Sequence, residues 1–303
     1  MIDTTLTLIC NPAAPGPLGA VAPGIAALLQ DAAPGPIERR DLGAGVAEDF
    51  HFRIDATAWP TIAERARALI GARPVDFALQ RREGRRKRLL IADMDSTIIE
   101  QECIDELAAF VGKRDEISAI TERAMRGELD FDGALKARVS MLAGLGGEKL
   151  DEAFRKRITL TPGARTLVQT MRRHGAFTAL VSGGFSFFTE RVAAATGFEA
   201  HQANTLQMAD GALTGAVKEP ILGRAAKKAA LQRYAAGAGV ALNETLAVGD
   251  GANDLDMLSA AGLGVAFRAK PAVAAEADVR IDHADLTALL YLQGIAQTDF
   301  VTT

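Results

Sequence analysis

The sequence predicts an α/β protein, a doubly wound and mostly parallel sheet with a helical cap insert, preceded by a smaller α+β domain. Three observations predict it. From Leu89 onward, short continuous apolar runs alternate with helix-period stretches, as parallel strands covered on both faces require. One stretch, 102–160, interrupts that alternation with helical spacing and no β-rich run, and so long a crossover should fold into a cap of its own. Before Leu89 the order is strand, helix, strand, strand, helix, strand.

The amino-terminal elements come first. "TLTLIC" alternates like a strand, and "GAVAPGIAALLQDA" has helical spacing. "IERRDL" and "EDFHFRI" read as two further strands, "TIAERARALIGA" as an amphipathic helix, and "VDFALQ" as a fourth strand. This β-α-β-β-α-β order over 1–80 is the ferredoxin-like pattern. The basic run Gln80–Arg88 has no interleaved aromatic residues to stack on bases, so 81–88 reads as a solvated linker. The α/β core then occupies 89–101 and 161–303, on either side of the 102–160 cap. Its strands are predicted at "RLLIADMD", "FTALVSGG", "ETLAVGDG" and "LGVAF". Helices are predicted at "GARTLVQTMRRHG", "FTERVAAATG" and "RAAKKAALQRYAAGAG".

Composition narrows the function. Hydrophobic residues make up 49% of the 303 positions and charged residues 24%, as in an ordinary globular protein. A formal net charge of −4 gives no reason to expect a nucleic-acid partner, and an anionic small-molecule substrate would need a local positive pocket. Cys10 and Cys103 are far apart and suggest no disulfide framework, which fits a cytoplasmic setting. Asp3 stands where a secretory signal would be basic. Thr4–Gln30 is uncharged, but Pro12, Pro15, Pro17 and Pro23 interrupt it, so no membrane span is expected. His51, His174, His201 and His283 fall in no metal-ligand spacing and read as structural or surface residues.

Open α/β sheets carry their chemistry beyond the carboxyl ends of their strands. The first core strand delivers Asp93 and Asp95 there, and the second Ser182, Gly183 and Gly184. The third delivers Asp250, Gly251, Asn253 and Asp254, and the helix before it carries Lys227 and Lys228. Each piece alone has an ordinary reading: a turn acid, a glycine turn, an Asx loop, a solvated helix face. Their order at successive strand ends does not. Aspartates that close repel unless protonated or bound to a cation, and Mg²⁺ is the hard oxygen-ligated ion usually found beside phosphate. Asp93 suits a carboxylate nucleophile on phosphorus. Asp95, two residues on, suits the acid that protonates a leaving oxygen and the base that then activates water. Ser182 with the adjacent glycine N–H groups can grip phosphoryl oxygens, and a lysine can offset the developing charge.

"DMDSTII", "VSGGF", the lysine of "AAKKAAL" and "VGDGANDLDML" resemble the four motifs of the haloacid dehalogenase superfamily of phosphatases, and the similarity runs over about 89–290. The resemblance implies Mg²⁺ held by the Asp93 carboxylate, the Asp95 backbone carbonyl and Asp250. It puts Ser182, Gly183 and Lys227 on the phosphate, leaves Lys228 at the surface, and makes Asn253 and Asp254 supporting residues. In the cap it assigns Glu102 to a substrate ammonium, Arg138 to a substrate carboxylate, and Met125 and Phe131 to closing over them. The physics agrees, because a Glu and a bidentate Arg together read the cation and the anion of an α-amino acid. The ordinary readings are a first-turn helix acid for Glu102 and a helix-surface arginine for Arg138. The implied activity is hydrolysis of O-phospho-L-serine to L-serine and phosphate, the last step of serine biosynthesis. A phosphotransferase using another small alcohol, or a non-catalytic amino-acid sensor, are the alternatives. The amino-terminal unit resembles an ACT-like domain at pattern level. Its "NPAAPGPLGA" loop is richer in proline and glycine than an amino-acid-binding version calls for, so a homodimer contact or a purely structural role stands beside serine binding.

Overall fold

The computed structural model describes residues 1–126 and 128–302, apart from the side chain of Met125. The amino-terminal unit runs β1 (Ile2–Cys10), α1 (Pro17–Ala32), β2 (Glu38–Gly43), β3 (Ala47–Ile54), α2 (Trp59–Ile70) and β4 (Val75–Arg81), with sheet order β2-β3-β1-β4. This is the expected ferredoxin-like arrangement. Side-chain alternation sorts β1. Leu6, Leu8 and Cys10 pack with Phe50, Phe52 and both helices. Thr5 and Thr7 face the other way, and that polar-looking face is buried as well. It lies against the carboxyl-terminal half of the chain. Ile9, Leu42, Val46, Ala47 and Ala78 share one apolar cluster with Leu286, Leu289 and Leu292.

The second sheet is six-stranded and parallel throughout, ordered β12-β11-β10-β5-β6-β7. Its elements are β5 (Leu89–Ala92), then the cap helices α3 (Cys103–Ala108), α4 (Arg114–Met125), α5 (Phe131–Ser140) and α6 (Glu148–Arg157). Next come α7 (Ala164–Arg173), β6 (Phe177–Phe185), α8 (Ser186–Thr196), β7 (Ala200–Asn204), β8 (Leu206–Ala209), β9 (Ala212–Val217) and α9 (Arg224–Gly237). The chain finishes with β10 (Thr245–Gly249), α10 (Leu255–Ala260), β11 (Leu263–Phe267), α11 (Pro271–Glu276), β12 (Val279–Ile281) and α12 (Ala288–Tyr291). β5 shows why the core is doubly wound: Leu90 and Ala92 point into the layer of α7, α8 and α12, while Leu89 and Ile91 point into that of α9, α10 and α11.

Strand order reverses beside β5. The chain steps outward to β6 and β7, then returns to place β10 on the other side of β5. The crevice at that reversal lies between the ends of β5 and β10, where open sheets bind their ligands.

Three expectations need correction. The 81–88 segment is not simply solvated, since Arg85 and Lys87 are both buried. Arg85 donates to Asp49 through Nη1 (2.7 Å) and Nη2 (3.0 Å), to Thr7 Oγ1 (3.0 Å), and to the carbonyls of Tyr291 (3.1 Å) and Leu292 (3.0 Å). Lys87 Nζ donates to the carbonyls of Asn243 (2.7 Å) and Gly262 (3.3 Å). The strand prediction also missed β7, the β8–β9 hairpin and β12, which are edge or surface pieces without continuous apolar runs. Finally, the cap is not made of 102–160 alone. The hairpin joins it through Gly144 N to Leu213 O (2.8 Å) and Gly147 N to Gly211 O (2.8 Å).

Candidate active site

β5 is short, apolar and wholly buried, and its hydrogen-bond ladder continues one residue past its end, from Asp93 N to Val248 O (3.0 Å). Asp93 is thereby fixed at the crevice. The next residues form one wide turn, Met94–Ile98, with Ser96 in the left-handed region (φ +55°). A non-glycine residue held there stores backbone strain that only the surrounding structure can sustain. The turn brings Asp95 back beside the end of β6. Asp95 Oδ1 accepts from Cys103 N (2.8 Å), and Oδ2 accepts from Ser182 Oγ (2.9 Å). Ser182 Oγ in turn accepts from Gly184 N (2.8 Å).

The glycines are needed here for close approach. A Cβ on Gly184 would sit 2.5 Å from Asp95 Oδ2, and one on Gly183 would sit 2.7 Å from the Phe131 ring. Gly183 O is pinned by Asn204 Nδ2 (2.8 Å), and Asn204 Oδ1 accepts from Leu222 N (2.7 Å). Sequence reasoning did not single out Asn204. It sits in a polar edge strand, and nothing local marks it.

Behind Asp93 lies a buried charge cluster. Lys227 is fully buried, with Nζ 2.7 Å from Asp93 Oδ1 and 2.6 Å from Asp254 Oδ1. Lys228 is exposed, as expected. Asp93, Asp250 and Asp254 each offer an oxygen within 4.8 Å of the others. Burial pushes the carboxyl groups of Asp93 and Asp250 well above the usual range. At Asp93 the Asp254 charge adds to this and Lys227 opposes it; at Asp250 the Glu102 and Asp93 charges add to it. Burial also works against the charge on Lys227, but Asp254 and Asp93 outweigh it and hold the ammonium above its ordinary pKa.

This set fits a divalent cation. Three carboxylates face one ammonium, which leaves an excess of two negative charges in a buried place. Asp254 has spent both oxygens, one on Lys227 and one on Gly251 N (3.1 Å). Asp250 Oδ1 is buried without any hydrogen-bond partner. Asp93 and Asp250 are therefore the side chains with oxygen free for an ion, and Asp254 serves as the brace of Lys227.

The cap closes over this rim. One cavity is lined by Asp93, Asp95, Ser182, Gly183 and Asn253 from the core and by Glu102, Phe131 and Arg138 from the cap. Lys227, Asp250 and Asp254 sit behind it in the protein. Met125 ends α4, and its side chain lies outside the described residues. Glu102 is not a first-turn acid. It precedes α3, and its carboxylate accepts from the Ser96 hydroxyl (2.5 Å). Burial, with the Asp95 charge, pushes it up to about 8, and the Ser96 hydrogen bond opposes the rise. Arg138 is not a surface arginine; it is 6% exposed. Its Nε donates to Ala134 O (3.1 Å) and its Nη1 to Thr121 Oγ1 (2.9 Å). Thr121 and Ser96 were not foreseen. Their signal is spatial, and "DSTII" alone does not show that Ser96 would turn toward Glu102.

The family model for haloacid dehalogenase-like hydrolases matches residues 90–259. The chain is 49% identical over 215 residues to the phosphoserine phosphatase of Streptomyces coelicolor, a match covering 71% of this chain and 52% of that protein. It thus spans about half the length of that curated relative. Among solved structures, a phospho-aspartyl intermediate analogue of phosphoserine phosphatase superposes with TM-score 0.66 at 40% identity, covering 68% of this chain and 98% of that one. A HAD family hydrolase from Salmonella enterica serovar Typhi superposes with TM-score 0.82 at 31% identity, covering 95% of this chain and 98% of that one. With its strand-end aspartates, buried lysine and helical cap, this chain belongs to the haloacid dehalogenase-like hydrolase family.

Proposed function

We propose that the protein is a Mg²⁺-dependent phosphomonoester hydrolase that converts O-phospho-L-serine to L-serine and phosphate. One observation carries this reading: a single cavity presents Asp93 and Asp95 from one side and Glu102 and Arg138 from the other. The first pair suits phosphoryl transfer, and the second suits the charges of an α-amino acid.

The steps follow from the placements. Asp93, fixed at the end of β5, attacks phosphorus and forms an aspartyl-phosphate as the bond from phosphorus to the serine oxygen breaks. Asp95 gives its proton to that leaving oxygen. After serine departs, water attacks the phosphorus of the aspartyl-phosphate, Asp95 takes the water's proton, and the Asp93 carboxylate is regenerated with release of phosphate. The phosphoryl oxygens are held by Ser182 and the backbone N–H groups of the Gly183 turn. Lys227, buried and charged, opposes the negative charge that builds on the transferring group. A Mg²⁺ ion at Asp93 and Asp250, with the Asp95 carbonyl as a further ligand, would supply positive charge to the phosphoryl group. Glu102 takes the ammonium, Arg138 takes the carboxylate, and Phe131, with Met125, covers the bound amino acid. Asn253 borders the cavity, and Asp254 braces Lys227.

The same reading divides the chain into an amino-terminal unit (1–80), a connector (81–88), a core (89–101 and 161–303) and a cap (102–160) to which the core's β8–β9 hairpin is joined. Cytoplasmic placement accords with the two buried free thiols, Cys10 and Cys103. Among the described residues no helix is long and apolar enough to cross a membrane.

Phosphate release with Mg²⁺ tests the proposal over a panel: both enantiomers of phosphoserine and phosphomonoesters lacking an amino group. L-Phosphoserine is expected to be preferred, and Asp93→Asn to lose on the order of 10³-fold or more in turnover. Full activity in that variant, or equal turnover of amino-free esters, would overturn it.

A further inference from the structure

The cap holds a buried polar chain that the proposed reaction does not yet use. Thr121, on α4, is 3% exposed. Its hydroxyl accepts from Arg138 Nη1 at 2.9 Å and lies 3.1 Å from Asp105 Oδ1 and 3.0 Å from Ile117 O. A hydroxyl has one proton and two lone pairs, so it can accept from the guanidinium while donating to Asp105 or to Ile117 O. Asp105 lies on α3 and Arg138 on α5, so this one oxygen ties three cap helices together. With Nε held by Ala134 O, the guanidinium is fixed at two of its nitrogens. Nη2 has no hydrogen-bond partner among the described residues, although Arg138 is nearly buried and lines the cavity.

Nη2 is not among the fully buried atoms left without a partner, so this donor edge opens on the cavity, where a ligand oxygen can complete it. A planar fork also recognises a carboxylate only when its plane is set in advance. We infer that Thr121, held by Asp105, is a positioning residue for substrate selection: it fixes the plane of Arg138 so that the free edge meets the carboxylate of a phosphorylated amino acid. This rests on the proposed substrate reading and deepens it. Thr121 acts through Arg138, and its hydroxyl has no part in phosphoryl transfer.

The test compares two ligands of the whole enzyme, O-phospho-L-serine and inorganic phosphate, which lacks a carboxylate. Thr121→Val keeps the shape and removes the hydroxyl. It is expected to raise KM for phosphoserine about tenfold, the size of one hydrogen bond to a charged group. The inhibition constant of inorganic phosphate should stay within about twofold. Thr121→Ser, which restores the hydroxyl, should return KM to within about twofold of the unaltered enzyme. In an Arg138→Gln background, Thr121→Val should add nothing further, because the group it orients is gone. Unchanged KM in Thr121→Val, a parallel rise in both constants, failure of Thr121→Ser to rescue, or independent effects of the two substitutions would overturn the positioning role alone. An unaltered enzyme that does not turn over phosphoserine would overturn the substrate reading and this inference with it.

Discussion

Glu102 is an acid whose protonation the fold has displaced. Its carboxyl group is pushed up to about 8 by burial and by the nearby Asp95 charge. Between about pH 4.5 and 8 the folded, metal-free protein therefore holds a proton that the unfolded chain has released. Stability from this group is present at the acid end and falls as pH rises through that window. Glu102→Gln removes the linkage, so its denaturation midpoint should decline less between pH 5 and pH 8 than that of the unaltered protein; urea titrations of both at the two pH values check this. An arriving ammonium ion would favour the charged carboxylate, as the binding role proposed for this residue requires. Asp93, Asp95 and Asp250 could be picked out from sequence because strand ends in an open sheet have a known address, and Lys227, on α9, because its segment resembles a family motif. The neighbours that tune them could not. Ser96, Thr121 and Asn204 act across 6, 17 and 21 positions of chain, reaching Glu102, Arg138 and Gly183. Periodicity carries no information about such pairings.

The carboxyl end of β6 is held by several hydrogen bonds, and its glycines leave the room they need. Gly184 leaves room for Asp95, whose two oxygens are already committed to Cys103 N and Ser182 Oγ. Gly184→Ala would push Asp95 away from both. On the proposed mechanism turnover should fall by roughly 10²-fold, the usual cost of misplacing a reacting group by about 1 Å. The melting temperature should barely move, since neither residue anchors a core. Steady-state kinetics and a thermal melt on the same sample separate the two effects. β6 itself was legible because it is a continuous apolar run. The β8–β9 hairpin was not, although Asp210 and Gly211 both take positive φ (+51° and +79°) at its turn. An Asp-Gly pair between two short strands is a strong hairpin signal. Here the flanking residues are too mixed in polarity to read as strands, because the hairpin is a thin outer layer of the cap.

Across the whole molecule, the two sheets are locked by a few buried charges. Arg85 makes a forked contact with Asp49 and closes on two carbonyls near the carboxyl terminus. Removing one member of such a pair strands the other in a dry place, at a cost of about 3–5 kcal/mol. Arg85→Ala should lower unfolding stability by that order, and the double variant Arg85→Met with Asp49→Leu should recover much of the loss; urea midpoints check both. A run of basic residues normally signals a solvated face, and from sequence this one did. What changes its meaning is Asp49, 36 residues upstream, together with a carboxyl-terminal segment that folds back over it.

β4 and β12 are outer strands of different sheets, and the Asp76 carboxylate receives the backbone N–H groups of Asp282 (2.9 Å), His283 (3.1 Å) and Ala284 (2.8 Å). Each sheet thus shields a margin of the other that would otherwise offer unpaired peptide groups to any passing chain. A core fragment expressed without its first 80 residues would keep its strand-end aspartates but bare that margin, and its first failing would be clumping in solution.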